Sequence, residues 1–451
     1  MRYLPHTQQE ILEMLRTIGV QNVDQLFEPI PVEARLGRPL ALEPALDEPS
    51  LMRHMTELAA RNKGAEMLSF LGAGAYDHHI PPAVDQILLR SEFYTAYTPY
   101  QPEVAQGTLQ AIFEYQTIVS ELLGLPVSNA SMYDVASATA EAALMAKRLT
   151  RRSKVIVCDG VHPDIIRTIE TYVSGTEDNS VLRTELGTDG VTSVASLGAR
   201  LTDETAAVVV GYPNFYGCVT DLAKLADAVH AKGALLVTYT PDPYALAILQ
   251  PPGALGVDIA VAEGQPIAGP PQFGGPGVGM FACRDDRKYM QEVPGRLVGE
   301  TVDKNGQRGF VLTLSTREQH IRRERATSNI CSNQGLVALS LTIRMCLLGK
   351  SGFVQTAQHC LSKAEYLRSR ISALPGYALA YPDTPVFNEM LVRVRGGNAQ
   401  SLCDKLAQRG ILAGVPVSRF YPQRADQLLL AVTEKHRRED LDRLADALGA
   451  I

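Results

Sequence analysis

Residues 206–238 read AAVVVGYPNFYGCVTDLAKLADAVHAKGALLVT and decide the fold class. The uninterrupted apolar runs Ala206–Gly211 and Ala234–Thr238 are typical of strands that are buried on both faces of a sheet. Between them, Asp221 can cap a helix whose apolar residues recur at i, i+3, i+4 and i+7, and Gly233 can end it. This strand–helix–strand order predicts two parallel strands of an α/β sheet.

The same alternation continues on both sides of this unit. Further strands and helices are predicted at Lys154–Cys158, Pro163–Val173, Val257–Ala262 and Val278–Cys283. A longer helix is predicted over Glu103–Leu123, with Pro102 in its first turn. Together these segments predict an α/β fold with a doubly wound, mainly parallel central sheet.

Changes in sequence character divide the chain into three predicted parts. Residues 1–64 read as helical pieces that are broken by prolines and lack the apolar periodicity of an independent core. Residues 65–348 carry the predicted sheet. Residues 349–451 change to an α-β-α-β-α order, which is typical of a small α+β domain. We therefore expect an N-terminal helical arm, a large α/β domain and a small C-terminal domain.

Composition narrows the classes of function. The 451 residues are 45% hydrophobic and 20% charged, with a net charge of −6 and no lysine- or arginine-rich run, so nucleic acid is not an expected partner. The seven cysteines form no C-x-x-C pair, which argues for reduced thiols and against a zinc site. No segment reaches the ~18 apolar residues of a membrane span, and the N-terminus has no apolar targeting segment. We expect a cytoplasmic protein without a membrane partner.

Two polar motifs precede predicted helices. Asn129–Asp134 comes before an alanine-rich helix that Asn129 or Ser131 can cap, and such a helix start can also hold a phosphate. The tyrosine loop, residues 94–102, contains three tyrosines, two threonines and a glutamine just before the helix at 103–123. Its hydroxyl groups can form the wall of a polar pocket, or its rings can simply pack at the surface.

Three further motifs have a structural interpretation beside a functional one. Tyr212–Gly217 follows a predicted parallel strand, where α/β sheets bind ligands, but it also reads as an ordinary turn. The glycine loop Phe273–Gly279 allows close approach of another group or a tight hairpin. The segment Arg325–Gln334 can cap the helix that follows through Thr327 or Ser328.

The adjacent histidines His78 and His79 are the nearest approach to a metal-ligand pair in the sequence. Neighbouring residues cannot both face one point on a helix. We interpret them as a loop pair near the surface, and no metal site is predicted.

In joint order and spacing, the motifs resemble those of fold-type-I pyridoxal-phosphate enzymes and, more closely, the P-protein family of the glycine cleavage system. The residues that carry the resemblance are Phe70–Gly74 with His78–Pro82, Tyr97–Glu103, Asn129–Asp134, Phe273–Gly277 and Ala326–Cys331. The resemblance implies an enzyme in which pyridoxal phosphate serves glycine decarboxylation. It also implies transfer of the aminomethyl group to the lipoyl group of H-protein, and in two-chain members of the family an α and a β subunit share this work.

Two positions indicate which of the two chain types this is. The family places a Schiff-base lysine before the Gly-Gly-Pro-Gly loop, and here Gln265 falls in or near that slot. The family also places an aspartate near Thr238–Thr240. In this sequence that stretch contains no acid, and the first one after it is Asp242. A glutamine amide cannot form an imine. The resemblance therefore implies that the partner β subunit binds the cofactor covalently, while Gly274, Gly275 and Gly277 form a close-approach loop.

Fold-type-I sites lie at chain interfaces, so an α chain can contribute residues to its partner's site. Our hypothesis is that two groups of residues line or buttress the pocket of the β chain. They are Tyr97, Thr98, Tyr100 and Gln101 from the tyrosine loop, and Thr327, Ser328 and Asn329. Two alternatives remain open: a purely structural or regulatory partner chain, and an independent pyridoxal-phosphate enzyme with an unusual lysine.

Overall fold

The computed structural model describes residues 5–175, 180–314 and 319–451. The chain forms two compact units, Met1–Ala65 and Glu66–Ile451. The first unit contains helices α1 (Gln8–Ile18) and α2 (Glu48–Ala60). Thr7 and Glu10 form a capping box at the start of α1, and the side chain of Asp47 caps α2.

The second unit contains a seven-stranded sheet, a four-stranded sheet and two two-stranded pairs. Its helices are α3 (Pro82–Leu88), α4 (Ser91–Tyr94), α5 (Gln106–Leu123), α6 (Val135–Thr150), α7 (Pro163–Ser174), α8 (Val194–Leu197), α9 (Leu222–Ala231), α10 (Gln265–Ala268), α11 (Arg287–Glu292), α12 (Gln319–Arg322), α13 (Gly335–Ser372), α14 (Ala399–Ala407) and α15 (Arg438–Gly449). Its strands are β1 (Leu68–Ser69), β2 (Val127–Ser128), β3 (Lys154–Cys158), β4 (Val181–Thr184), β5 (Thr205–Gly211), β6 (Leu235–Thr240), β7 (Ile259–Glu263), β8 (Gly279–Cys283), β9 (Leu297–Val302), β10 (Arg308–Thr313), β11 (Tyr377–Leu379), β12 (Glu389–Val394), β13 (Ile411–Leu412), β14 (Val415–Pro416) and β15 (Gln427–Ala431). The two-stranded pairs are β1-β13 and β9-β10.

The central sheet has the strand order β2-β8-β7-β6-β5-β3-β4. Strands β7, β6, β5, β3 and β4 are parallel, whereas β8 pairs antiparallel with β7 and β2 antiparallel with β8. Every residue of β5, β7 and β8 is buried, because α6 and α7 cover one face of the sheet while α5, α9 and α13 cover the other. This confirms the predicted α/β fold with a mainly parallel central sheet.

A smaller antiparallel sheet, β11-β12-β15-β14, lies in the C-terminal part of the second unit. It has its own apolar cluster, to which α14, α15 and the second half of α13 contribute. Helix α13 runs through Gly349, whose φ of 60° and ψ of 177° are not helical. The proposed division into domains at 348/349 stays a prediction.

Three details of the predicted helices are wrong. Helix α5 begins at Gln106, so Pro102 lies before it rather than in its first turn. Asp134, and not Asn129 or Ser131, caps α6 by accepting a hydrogen bond from the main-chain N–H of Ser137. Helix α13 has no side-chain cap, so neither Thr327 nor Ser328 fills that role.

By length and composition alone, helix α13 is long and apolar enough to cross a membrane. This differs from the expectation that no segment of the sequence would reach that length. The buried side chains of α13, among them Leu341, Phe353 and Leu367, belong to the apolar clusters of the central sheet and the small sheet. A core helix of a folded protein passes the same test, so the observation is weak evidence for a membrane span.

Candidate functional site

The carboxyl-terminal edge of the central sheet is where open α/β sheets bind ligands. The last residue of β7, Glu263, lies at this edge and is 6% exposed. Its carboxylate accepts hydrogen bonds from the main-chain N–H groups of Val135 (2.9 Å), Gln265 (3.0 Å) and Val278 (3.0 Å). Burial raises the pKa of Glu263 to about 7, although these three hydrogen bonds act in the opposite direction.

The N-terminus of α6 follows the motif Asn129–Asp134, which marks it as a possible phosphate-binding helix start. Helix starts attract anions because their first N–H groups lack partners within the helix. Here the carboxylate of Glu263 binds the N–H of Val135, and the carboxylate of Asp134 binds the N–H of Ser137 at 2.7 Å. Two carboxyl groups therefore occupy the position that an incoming phosphate would need.

At the two cofactor positions that the resemblance singles out, Gln265 and Thr240 are bonded within the chain, whereas the buried hydroxyl of Thr238 has no partner among the described residues. Gln265 is the first residue of α10, and its side-chain amide donates to the main-chain oxygen of Gly269, one turn further on. Thr238 and Thr240 are fully buried in β6, and the hydroxyl of Thr240 donates to the main-chain oxygen of Tyr212 at 2.8 Å. With neither an amine nor an acid at these positions, and with Glu263 at α6, this edge does not fit pyridoxal phosphate.

The prediction that His78 lies near the surface is wrong, because its side chain is buried between two acids. Its Nε2 atom lies 3.0 Å from Asp242 Oδ2 and its Nδ1 atom 2.6 Å from Glu434 Oε2. Its ring stacks on Tyr244 with a centroid distance of 4.3 Å. Burial alone would lower the pKa of His78, but the two carboxylates raise it well above its ordinary value. His79 is exposed, as predicted for the pair.

Cys360 joins this buried group, which we call the His78 cluster (His78, Asp242, Cys360 and Glu434). The Sγ atom of Cys360 lies 3.6 Å from Glu434 Oε2, so imidazole, thiol and carboxylate come as close together as metal ligands do. The 2.6 Å separation of His78 Nδ1 and Glu434 Oε2 is nevertheless that of a charge-assisted hydrogen bond, with a proton where a metal would lie. We interpret the cluster as a buried ion network.

The tyrosine loop is fixed by a residue that the sequence analysis did not single out. Arg296 is only 4% exposed, and its guanidinium donates to the hydroxyl oxygens of Thr98 at 3.0 Å and Tyr100 at 2.9 Å. It also donates to the main-chain oxygen of Cys331 at 2.9 Å and to the hydroxyl of Ser332 at 3.4 Å. One guanidinium thus joins the tyrosine loop to the segment that begins at Ala326.

A small cavity of about 160 Å³ lies beside this junction. The tyrosine loop contributes Tyr94, Tyr97 and Thr98 to its wall, and the opposite wall includes Ser332 and Leu336. Tyr97 is 84% exposed and Tyr100 is 56% exposed, so the loop presents aromatic rings and hydroxyl groups at the surface.

The other hypothesised pocket residues take different positions. The hydroxyl of Ser328 accepts from the N–H of Ile330 at 3.1 Å and interacts with Glu141, while the side chain of Asn329 interacts with Tyr172. Thr327 is half-buried, and Gln101 is exposed. The structure therefore brings Tyr97 and Thr98 together with Ser332, whereas Ser328 and Asn329 lie beside α6 and α7.

The glycine loop has two distinct needs for glycine. Gly274 and Gly275 have φ values of 93° and 151°, in the region that favours glycine. A Cβ atom at Gly277 would lie 3.2 Å from Asp134 Cβ, Glu263 Oε1 and the main-chain oxygen of Tyr133. Phe273, at the start of the loop, is completely exposed. The close approach at Gly277 is therefore made within the chain, to Glu263 and the start of α6.

Solved structures of low identity define the class of fold. A glutamate decarboxylase from Lactobacillus brevis aligns with a TM-score of 0.68 at 15% identity, covering 93% of this chain and 95% of that structure. The chain thus has the fold of the fold-type-I pyridoxal-phosphate enzymes.

More similar proteins identify the family. The family described as "Glycine cleavage system P-protein" matches residues 1–448, and the chain belongs to this family. A "probable glycine dehydrogenase (decarboxylating) subunit 1" of Sorangium cellulosum is 62% identical, covering 100% of this chain and 99% of the relative. A relative of the same name from Desulforamulus reducens is 50% identical, with both chains fully covered. The crystal structure of an inhibitor-bound glycine decarboxylase (P-protein) aligns over the full length of both chains at 41% identity and a TM-score of 0.89.

Two residues of this region were missed in the sequence, Arg296 and Glu263, and His78 was recognised but expected at the surface. Arg296 follows Pro294-Gly295, and nothing local indicates that its partners lie near residues 98 and 331. Glu263 offered a signal, because an acid at the end of a fully apolar strand is unusual unless its charge is bound. The burial of His78 has no local signal, since its two acids are distant in sequence.

Proposed function

We propose that this chain is subunit 1 of a two-chain glycine dehydrogenase (decarboxylating) and that it acts only together with subunit 2. The observation that carries the proposal is the 62% identity, over the full length, to a relative that bears the name of subunit 1. The name of a subunit 1 implies a second chain. The fold and the family membership support the same conclusion.

The covalent site for pyridoxal phosphate is proposed to lie on subunit 2. Three features of this chain support that assignment: the amide of Gln265 in the lysine slot, the buried threonines 238 and 240, and Glu263 at the start of α6. When bound, the cofactor supplies the electron sink for decarboxylation. This chain contributes surface residues around the site of subunit 2 and holds them in position.

Within the assembly, the tyrosine loop is proposed to line or buttress the pocket of subunit 2. The exposed rings of Tyr97 and Tyr100 support this role, and Arg296 holds the loop through the hydroxyl groups of Thr98 and Tyr100. Gln101, Thr327, Ser328 and Asn329 remain candidates for the same role, and glycine is the proposed substrate. The lipoylated H-protein is the proposed acceptor, and the cytoplasm the proposed location.

Co-expression with and without subunit 2 tests the two-chain proposal. Glycine-dependent exchange of carbon dioxide is expected only when both chains are present. Exchange by this chain alone, or a visible absorbance band from this chain with pyridoxal phosphate, would instead support an independent enzyme.

Substitution in the tyrosine loop separates an active-site role from a purely structural or regulatory one. Tyr97→Phe and Asn329→Ala are expected to lower the exchange rate or the cofactor affinity of the assembled enzyme without preventing assembly. If rate and affinity are both unchanged in assembled complexes, the chain has a structural role only. Size-exclusion chromatography of each complex provides the control for assembly.

A further inference from the structure

We infer that Arg296 is a positioning residue that holds the tyrosine loop in the conformation required by the site of subunit 2. The inference rests on the proposed function, because it assigns a role at the same shared site. It concerns a buried residue that fixes two residues of the tyrosine loop, the half-buried Thr98 and the largely exposed Tyr100.

The tyrosine loop needs such an anchor because its three tyrosine side chains are largely exposed, although Pro99 between them is buried. Tyr94, Tyr97 and Tyr100 are 62%, 84% and 56% exposed. Within the loop, the N–H of Tyr100 donates to the main-chain oxygen of Thr98 at 2.9 Å, which shapes a local turn but does not fix the loop to the body. The hydrogen bonds from Arg296 fix the loop to the body of the protein. The guanidinium of Arg296 also lies 5.1 Å from the centre of the Tyr100 ring.

Arg296 is itself held at its main chain. Its carbonyl oxygen accepts from the N–H of Ala130 at 2.7 Å, and the side-chain amide of Asn129 donates to the oxygen of nearby Pro294 at 2.9 Å. The segment Asn129–Asp134 also contacts the segment that begins at Ala326, because the N–H of Gln334 donates to the hydroxyl of Ser131 at 3.0 Å. The guanidinium is therefore attached to a rigid base, and its donors reach two separate segments.

The choice of arginine follows from this geometry. A guanidinium has five N–H donors in a planar fork, so it can bond to Thr98 and Tyr100 in one segment and to Cys331 in the other. A lysine keeps the charge but is a compact point donor and cannot reproduce the fork. Since Arg296 donates to the hydroxyl oxygen of Thr98, it also sets the direction in which that hydroxyl can donate.

The test uses Arg296→Lys and Arg296→Gln in the assembled two-chain enzyme. We expect both variants to assemble while kcat for carbon dioxide exchange falls, by about 100-fold for Arg296→Gln, since misplacement by about 1 Å can cost that factor. The visible circular dichroism of the cofactor in the complex is expected to change as well. Arg296→Lys is expected to recover only part of kcat.

Arg308 provides a matched control. Its side chain is 61% exposed, pairs with Glu300 at 2.8 Å, and lies over the ring of Phe310. Arg308→Gln also removes an arginine that contacts an aromatic ring, and it is expected to leave kcat and the circular dichroism unchanged.

The outcomes separate this inference from the proposed function. A merely structural role for Arg296 would reduce the amount of complex but leave kcat per complex and the circular dichroism unaltered, and that result would overturn the inference. If Tyr97→Phe lowers the rate while Arg296→Gln does not, the inference fails and the proposed function stands. If neither variant changes rate, affinity or spectrum, the inference fails together with the proposed active-site role of the tyrosine loop, while the two-chain proposal is tested by co-expression.

Discussion

The edge of the central sheet and the tyrosine loop hold their polar groups in opposite ways. At the sheet edge, Glu263 accepts three main-chain hydrogen bonds, Gln265 bonds to its own helical turn, and His78 lies between two acids. In the tyrosine loop, a single buried arginine binds two hydroxyl groups whose side chains extend to the surface.

This difference indicates where function can lie. Polar groups that are bound inside the chain contribute to its stability and cannot also bind a ligand without breaking those bonds. Polar groups that are held in place but exposed cost little stability and can meet another molecule. The fold thus keeps the sheet edge at which α/β proteins bind ligands but binds Glu263, Gln265 and His78 there within the chain, and it presents exposed aromatic rings in the tyrosine loop.

The largest effect is expected when the buried network at the sheet edge is broken. His78→Ala leaves Asp242 and Glu434 without their shared cation, and removing one partner of a buried ion pair costs about 3–5 kcal/mol. Thermal or urea unfolding of the isolated chain measures this loss. His79→Ala is the matched control, since the His79 side chain is exposed and only its main-chain N–H binds Glu434.

The pH dependence of that loss sharpens the same prediction. Burial raises the pKa of Glu434, but the hydrogen bond and charge of His78 lower it to about 2. The contribution of Glu434 to the free energy of unfolding is therefore complete above pH 4.5, its ordinary pKa, and fades as the pH falls toward 2. The raised pKa of His78 makes its contribution complete below 6.5, with a loss as the pH rises through the folded value. The difference between wild type and His78→Ala should therefore be largest from about pH 4.5 to 6.5. A difference that is constant with pH would contradict the ion network.

A smaller effect is expected at Glu263. Its pKa is raised from 4.5 to about 7, so the wild type loses stability as the pH rises between these values, and the shift corresponds to about 3 kcal/mol. Glu263→Gln carries no titrating group, so its unfolding free energy should stay flatter over this range. Tyr97→Phe, at a side chain that is 84% exposed, should follow the wild-type curve within about 0.5 kcal/mol. Parallel curves for Glu263→Gln and wild type would show that the carboxyl group is not held as described.

The parts of the fold that the sequence could predict are those that local patterns determine. Strands with long apolar runs, such as β5 and β7, can be recognised in the sequence, because burial on both faces leaves few polar positions. The hairpin of β9 and β10 was not predicted, since its strands become exposed and polar toward their connecting turn. Helix α6 was predicted, but its cap was misplaced because three polar residues precede it and only the backbone conformation selects Asp134.

The site was harder to predict because its decisive contacts join distant parts of the chain. His78 finds its acids 164 and 356 residues away, and Arg296 binds a hydroxyl 198 residues before it. Arg296 does not stand out in its own neighbourhood, and the residues around His78 do not indicate its burial. The tyrosine loop could be recognised because its polar groups are consecutive, whereas the missing lysine could be located only through the resemblance to a family.

The smallest effect is expected when the lysine is put back. Gln265→Lys restores an amine to its slot, but Glu263 still occupies the start of α6, and Thr238 and Thr240 still offer no acid. The isolated variant, incubated with pyridoxal phosphate and dialysed, should therefore retain no visible absorbance band. A band from the single variant would contradict a closed sheet edge. A band that appears only when Glu263→Ala is added would identify the carboxyl group at the start of α6 as the barrier, since alanine has no side-chain acceptor and leaves the N–H of Val135 free for a phosphate.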